Sequence, residues 1–186
     1  MELRKPEVQF DRDKLLEAVH FVCEVADSER LGAIKLHKVL YFSDMLNFLA
    51  TGQAITGVEY LKQKFGPTAR HLTWAVRKLA EEGTIRVSEA DYHGYRKKQF
   101  EALKPYSGGR LSVDEKKLLK ETVAIASEKT AAELSELSHN AAWESVELGE
   151  VIPYSSVYRI LPSEIDEDDI AWAETTAKSN AVERFW

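Results

Sequence analysis

The spacing of apolar residues predicts two long helices in the first 52 residues of the chain. The first spans about residues 14–27, with Asp13 as its N-cap and apolar side chains every three or four positions. The second spans about residues 31–50 and ends at Gly52. It is apolar around most of its circumference, which is typical of a central buried helix.

Polar residues occur at two kinds of position on this second helix. His37, Asp44 and Asn47 form a narrow polar sector, whereas Lys35 and Lys38 fall inside the apolar arc. A lysine on such an arc has to extend to solvent or pair with a carboxylate, because an unpaired buried charge is costly.

The middle of the chain predicts a helix followed by a hairpin. Gly66-Pro67 is predicted to open the third helix, since proline suits the first helical position, and Gly83 to close it. Residues 84–90 and 95–103 then alternate as two strands joined near residues 91–94, which include His93. Residues 105–110 are expected to form a loop.

Capping boxes predict the next two helices. One box is Ser112 to Glu115, and the second is Thr130 to Glu133. Residues 151–153 break the helical pattern, and an acidic run over 164–169 leads into a predicted last helix through Trp172. The expected fold is α+β, mainly α: a helical bundle with one small antiparallel β-hairpin, in a single domain over residues 1–186.

Composition is that of an ordinary globular chain, with 44% apolar and 30% charged residues. There is no apolar run of the roughly 20 residues that a membrane span needs, and the first ten residues do not resemble a signal peptide. The single cysteine, Cys23, excludes an internal disulfide. We therefore expect a cytoplasmic protein that does not associate with membranes.

Charge is unevenly distributed. Residues 60–110 carry 11 Lys and Arg against 5 Asp and Glu, whereas residues 111–186 carry 7 against 16. The net charge of −6 disfavours non-specific nucleic-acid binding. The basic segment keeps a weaker alternative open, a winged-helix DNA-binding regulator, in which a helix with Arg70, Arg77 and Lys78 precedes a basic hairpin.

Motifs for catalysis, phosphate binding and metal binding are absent from the sequence. The five histidines are scattered, and Cys23 lies in an apolar stretch where a small core residue is expected. We predict no catalytic residue, no metal ligand and no cofactor, and expect that the protein is not an enzyme. The alternative of an enzyme of unrecognised type would be favoured by a pocket that brings Ser135, His139 and a carboxylate into hydrogen-bond contact.

Several segments resemble the Panacea domain of SocA-like antitoxins. Residues 34–44 resemble its Lys-Leu-x-Lys-Leu-Leu-Tyr-Phe-Ala-Asp signature, except that His37 stands where the family often has Gln. Residues 52–60 resemble the loop that follows, and residues 64–67 its Tyr-Gly-Pro element. Residues 133–143 and 151–154 resemble its C-terminal signature. The resemblance covers about residues 14–158 and leaves residues 160–186 as an acidic C-terminal extension.

The resemblance implies an antitoxin of a bacterial or phage toxin–antitoxin pair. Its partner would be a cognate protein toxin that is encoded beside it and neutralised by direct binding. One branch of the family hands its toxin to an ATP-dependent protease, so an adaptor role is also implied. The toxin and the oligomeric state are left open.

Two groups of residues follow from this reading. The family-motif residues are expected to be mainly structural, with a Lys35–Glu133 ion pair joining two helices. The exposed hairpin is expected to contact the partner, and Trp172 and residues 185–186 offer a second contact. The motif residues are Lys35, Lys38, Tyr41, Asp44, Gly66, Pro67, Glu133, Ser135, His139 and Trp143, and the partner-binding residues are Tyr92, Tyr95, Arg96, Lys97, Lys98 and Phe100.

Overall fold

The computed structural model describes residues 8–92 and 94–161, together with Ala171 and Thr175. His93, the acidic run over 164–169, Trp172 and residues 185–186 lie outside the described residues. The expectations for those positions therefore stay predictions.

Two helices open the chain. Helix α1 spans Arg12–Val25, and its N-cap is Asp11, whose carboxylate accepts from Lys14 N at 2.9 Å. The predicted cap, Asp13, lies in the first turn instead. Helix α2 spans Ala33–Thr51 and ends, as predicted, at Gly52 with a positive φ of 74°. Its buried residues surround the axis, so it is the central helix.

A small sheet replaces the helix start that was predicted at Pro67. Strand β1 spans Tyr60–Leu61 and β2 spans Thr68–Ala69, and the two pair antiparallel. Helix α3 begins only at Leu72 and runs to Glu81, because the backbone of residues 68–70 is already bonded to β1 and its flank. Pro67 therefore precedes a strand, and the sequence prediction there is wrong.

The predicted hairpin is confirmed. Strand β3 spans Ile85–Tyr92 and pairs antiparallel with β4, Tyr95–Ala102. Ile85 and Phe100 are buried at its base. The interpretation of Phe100 as an exposed contact is therefore wrong, since only 3% of its surface is accessible.

Both predicted capping boxes are formed. Helix α4 spans Val113–Glu128 after Ser112, and α5 spans Ala131–Ser138 after Thr130. A short α6, Ala141–Glu144, follows.

The segment after α6 contains a third strand of the small sheet. Strand β5, Val151–Ile152, pairs with β1 where the sequence suggested only a break. A 3-10 helix, Tyr154–Ile160, ends this part of the chain.

Helix α2 organises the core, with α1, α4, α5 and the 3-10 helix packed around it. The fold is α+β and mainly α, as predicted, with the β1–β2–β5 sheet as an addition to the hairpin. The small sheet and α5 both lie against α2, and this packing brings the separated family-motif segments together.

Candidate functional site

The first cluster of motif residues surrounds the amine of Lys38. This side chain is only 1% exposed, and its Nζ donates to the carbonyl of Pro67 at 3.1 Å. Gly66 has a φ of 89°, and a Cβ there would overlap both Lys38 Nζ and Ser138 Oγ. Lys38 therefore does not reach solvent, and it pairs with no carboxylate of residues 8–92 and 94–161, in contrast to the sequence expectation. It joins α2 to the turn before β2 and to the end of α5.

Burial explains the electrostatics of this cluster. Loss of water lowers the pKa of Lys38 to about 7. The neighbouring His37 accepts a hydrogen bond at Nδ1 from Ala69 N at 3.1 Å. Burial and the nearby Lys38 charge lower the pKa of His37 to about 4, so its imidazole is neutral at pH 7.

The second cluster surrounds the carboxylate of Asp44, which is 1% exposed. It accepts from Thr56 N at 2.7 Å, from the Thr56 hydroxyl at 2.6 Å and from Tyr60 OH at 2.6 Å. Burial raises the pKa of Asp44, while these donors act in the opposite direction. The carboxylate thereby ties α2 to the loop before β1, so Asp44 does not belong to a solvent-facing polar sector.

Tyr41 extends this buried region. It is fully buried and packs edge-on against Tyr60, with ring centroids 5.2 Å apart. Burial raises the pKa of Tyr41 to about 12, so its phenol is neutral at physiological pH. Its role is packing within the core.

The third cluster follows α5. Ser135 Oγ donates to Ala131 O at 2.9 Å, and His139 stacks on Trp143 at 4.1 Å. The Nζ of Lys62 lies 4.1 Å from the Trp143 ring centroid on a cation–π contact. His139 N also donates to Ser135 O at 3.1 Å, but the two side chains have different partners. The side-chain contact among serine, histidine and a carboxylate that would favour the enzyme alternative is therefore not formed in the described part of the chain.

The predicted Lys35–Glu133 ion pair is not formed. Lys35 Nζ donates to Ala126 O at 2.8 Å, whereas the Glu133 carboxylate completes the capping box by accepting from Thr130. The two charges still attract each other at longer range, but the direct hydrogen bond of Lys35 joins α2 to the end of α4 and not to α5. The hydrogen bonds from Thr130 lower the pKa of Glu133.

The predicted partner-binding residues occupy the hairpin in three different ways. The Arg96 side chain is 87% exposed and lies 3.5 Å from Glu89, and Lys98 is also exposed. Lys97 is half-buried and donates to Glu29 O at 2.6 Å, which fastens the hairpin to the turn before α2. Tyr92 and Tyr95 form the last backbone pair of the hairpin.

A groove of about 610 Å³ lies between β4 and the first turns of α2 and α5, and we call it the basic groove. Its cationic side chains are Lys35, Arg96, Lys97 and Lys98. The pKa of Lys35 is lowered by burial and then by the positive charges of Lys97 and Arg30. The groove therefore concentrates positive charge beside two helix N-termini, which favours anionic groups on a partner.

Basic residues on α3, on the hairpin and in the segment before α3 pair with acidic ones. A basic patch or stripe is the electrostatic footprint of a DNA-binding face, and these carboxylates offset its positive charge. This pairing therefore argues against the winged-helix alternative. The pairs are Arg70–Glu59, Lys78–Glu82 and Arg86–Glu101.

Residues 36–144 match the sequence model of the family described as antitoxin SocA-like, Panacea domain. This match covers more than half of the chain. The chain belongs to the SocA-like antitoxin family. No curated protein and no solved structure matches it. The matched range is narrower than residues 14–158, but it includes all three clusters of this Panacea domain.

Two further observations on the Panacea domain concern metal ligands and membrane spans. Within residues 8–92 and 94–161, no three His, Cys, Asp or Glu side chains are grouped so that they could hold a metal ion. No helix in the described part of the chain is long and apolar enough to cross a membrane.

Sequence reasoning missed four members of the clusters, one of which is Lys62, whose amine lies over the Trp143 ring. Thr56 and Tyr60 hold Asp44, and Ser138 adjoins Lys38 and Gly66. Thr56 and Tyr60 belong to a segment that resembles the family, so their presence signals a constraint. Their link to Asp44 required the fold, because 12 and 16 residues separate them along the chain.

Proposed function

We propose that this protein is an antitoxin that neutralises a cognate protein toxin by binding it directly, as one domain acting in the cytoplasm. The family membership supports the antitoxin class. The location of the proposed binding surface is inferred from the basic groove. The proposed contact residues are Arg96 and Lys98, which line the groove together with Lys35 and Lys97. Tyr92 and Tyr95, the last backbone pair of the hairpin, are proposed as further contacts.

The burial of the motif residues supports this choice of surface. Lys38, Asp44 and Gly66 are buried, so a macromolecular partner does not reach them. Their role is to hold the loop before β1, the turn before β2 and α5 against α2. A partner surface must therefore be built from other residues, and the hairpin and the N-terminus of α5 are positioned by this scaffold.

The positive charge of the basic groove favours a toxin that presents an acidic patch to it. Charged groups across an interface mainly set specificity and the association rate. Arg96 and Lys98 are exposed and lie beside the half-buried Lys97, so an approaching carboxylate meets several cations together. We expect the toxin to present Asp or Glu side chains to this groove.

The test combines Arg96→Glu with Lys98→Glu. We expect this double variant to keep its fold and to lose neutralisation of the co-expressed toxin, because both changes place negative charge at the groove. Lys97 is left intact because its bond to Glu29 O supports the hairpin. Growth after toxin induction and co-purification of the two proteins give the readouts.

The matched control is Arg77→Glu with Lys120→Glu, which changes net charge equally at exposed positions of α3 and α4. This control should neutralise as well as the wild type. An equal loss of neutralisation in both double variants would indicate a general effect of net charge and would reject the basic groove as the binding surface. The toxin's half-life in the same cells separates blocking from adaptor-driven degradation, since only degradation shortens it.

A further inference from the structure

A second groove, lined almost entirely by apolar side chains, lies on the same side of α2. We call it the apolar groove; its volume is about 330 Å³, and its walls come from α2, α4, α5 and the 3-10 helix. Five of its aliphatic side chains expose between 41% and 55% of their surfaces. Large contiguous apolar patches at a protein surface are characteristic of interaction sites and ligand-binding grooves. The five are Leu46, Ile125, Leu137, Ile160 and Leu161.

The apolar groove adjoins the basic groove. Lys35 lines the basic groove, and its Nζ bonds to the carbonyl of Ala126, a residue that lines the apolar groove. Phe42, Leu46 and Leu49 follow Lys35 on α2 at whole-turn spacings and therefore share its face. The two grooves thus follow one face of α2, and Lys35 and Leu46 are about 16 Å apart along the axis.

The backbone of the groove walls determines what kind of segment can fill it. All four wall elements are helical, so most of their N–H and C=O groups are bonded within each helix. An occupant finds no strand edge to pair with here. It must satisfy its own backbone hydrogen bonds, which an amphipathic helix does in this kind of groove.

We infer that the apolar groove binds an amphipathic helix of the toxin, with acidic residues at the end of that helix that lies beside Lys35 and Lys98. This inference rests on the proposed antitoxin function and adds the chemistry of the partner. Apolar side chains of the toxin helix fill the space among Leu46, Ile125 and Leu137. The carboxylates that follow complement the positive charge of the basic groove, and this complementarity fixes the direction of the helix.

Affinity measurements test the apolar part of the contact. Leu46→Asp and Leu137→Asp each place a charge on an exposed wall, so both variants should fold, as circular dichroism checks. We expect each to weaken binding of the neighbouring reading frame's product at least about 10-fold. The control is Leu148→Asp, which changes a 67% exposed leucine outside both grooves and should bind like the wild type.

Photo-crosslinking identifies the occupant without relying on a destabilising change. A photoreactive phenylalanine analogue replaces Leu137 in the full chain, and mass spectrometry reads the crosslinked peptide. A helical segment of the toxin with an apolar face and acidic residues at one end supports the inference. Crosslinks to residues 162–186 of this chain, or to a second copy, overturn it.

The outcomes separate this inference from the proposed function. If the wild type binds and neutralises the toxin but both groove variants bind equally well, the helix-docking inference fails and the antitoxin function stands. If the wild type forms no complex with the toxin, both fail.

Discussion

Gly66 shows how one residue controls the packing of the Lys38 cluster. Its φ of 89° disfavours any side chain, and its surroundings leave no space for a Cβ. Gly149 has nearly the same φ, 90°, but a Cβ added there would have open space for 4 Å around it. Alanine variants at these two positions therefore distinguish the cost of backbone strain, which both share, from the cost of steric overlap, which only residue 66 has.

We expect Gly66→Ala to lower the free energy of unfolding by about 2–4 kcal/mol, because strain and overlap add. Gly149→Ala should cost only about 1 kcal/mol from strain. Urea unfolding of both variants measures the difference. Equal losses would show that the space between Lys38 and Ser138 does not constrain residue 66.

Lys38 leads to a prediction about pH. Its folded-state pKa is about 7, below the ordinary value of 10.5 that applies in the unfolded chain. Between these values the unfolded chain binds more protons, so this group makes the free energy of unfolding rise with pH. The burial penalty of the charged amine is thus greatest below about pH 7 and disappears above the unfolded pKa.

Lys38→Met removes this titration while filling a similar volume, and such replacements of buried charges are tolerated in other proteins. We expect the wild type to gain stability relative to Lys38→Met as the pH rises from about 7 to about 10. Urea unfolding of both proteins across this range gives the comparison. A stability gap that stays constant would contradict the account of a buried amine that loses its proton.

At the scale of elements, the two capping boxes form a matched pair. Ser112 caps α4 and Thr130 caps α5 by the same reciprocal bonds. Only the cap of α5 lines the basic groove. Comparing variants of the two caps can therefore distinguish a loss of helix stability from a loss of the binding surface.

Ser112→Ala and Thr130→Ala should each reduce the free energy of unfolding by about 1 kcal/mol. We expect only Thr130→Ala to weaken toxin binding as well, because the first turn of α5 forms a wall of the basic groove. Denaturation and calorimetric titration with the toxin give the two values. Equal affinities for the two variants would remove the α5 terminus from the interface.

Local sequence signals predicted the elements whose boundaries are set by neighbouring residues. Both capping boxes and the α2 stop at Gly52 depend on contacts within a few residues, and all three are confirmed. The predicted helix start at Pro67 was wrong because the segment after it pairs with Tyr60 and Leu61. Such short strands carry too few residues for a period-2 pattern, so only their tertiary partners define them.

The candidate site was less predictable for the same reason. Lys38 was identified as anomalous, but its partner is a backbone carbonyl at Pro67, which leaves no signal in side-chain identity. Lys35 likewise bonds to Ala126 O, so a search for a complementary carboxylate selected Glu133 wrongly. Phe100 was assigned by proximity to basic residues, whereas its place at the hairpin base buries it.

At the scale of the whole molecule, charge asymmetry accompanies the proposed interface. The net charge is −6, yet Lys35, Arg96, Lys97 and Lys98 concentrate positive charge at one groove. A partner with a matching acidic patch would be steered to this side, since local potentials govern encounter even when net charge has the opposite sign. The apolar groove beside it would then supply most of the affinity.

This division of roles predicts how salt affects binding. Raising ionic strength from about 0.05 M to about 0.5 M should slow association several-fold and change dissociation less, because screening acts on long-range attraction. Stopped-flow mixing with the toxin separates the two rates. If the dissociation rate changes more than the association rate, the prediction is wrong, because charge then acts mainly in the bound complex and not in steering the approach.

Co-expression with the product of the neighbouring reading frame tests the central claim most directly. The partner is induced alone, with this protein, and with the Arg96→Glu, Lys98→Glu double variant, and complexes are isolated by pull-down. The account predicts toxicity alone, rescue and a stable complex with the wild type, and neither with the double variant. A partner that is harmless when induced alone, or whose toxicity persists without any complex with the wild type, would contradict it.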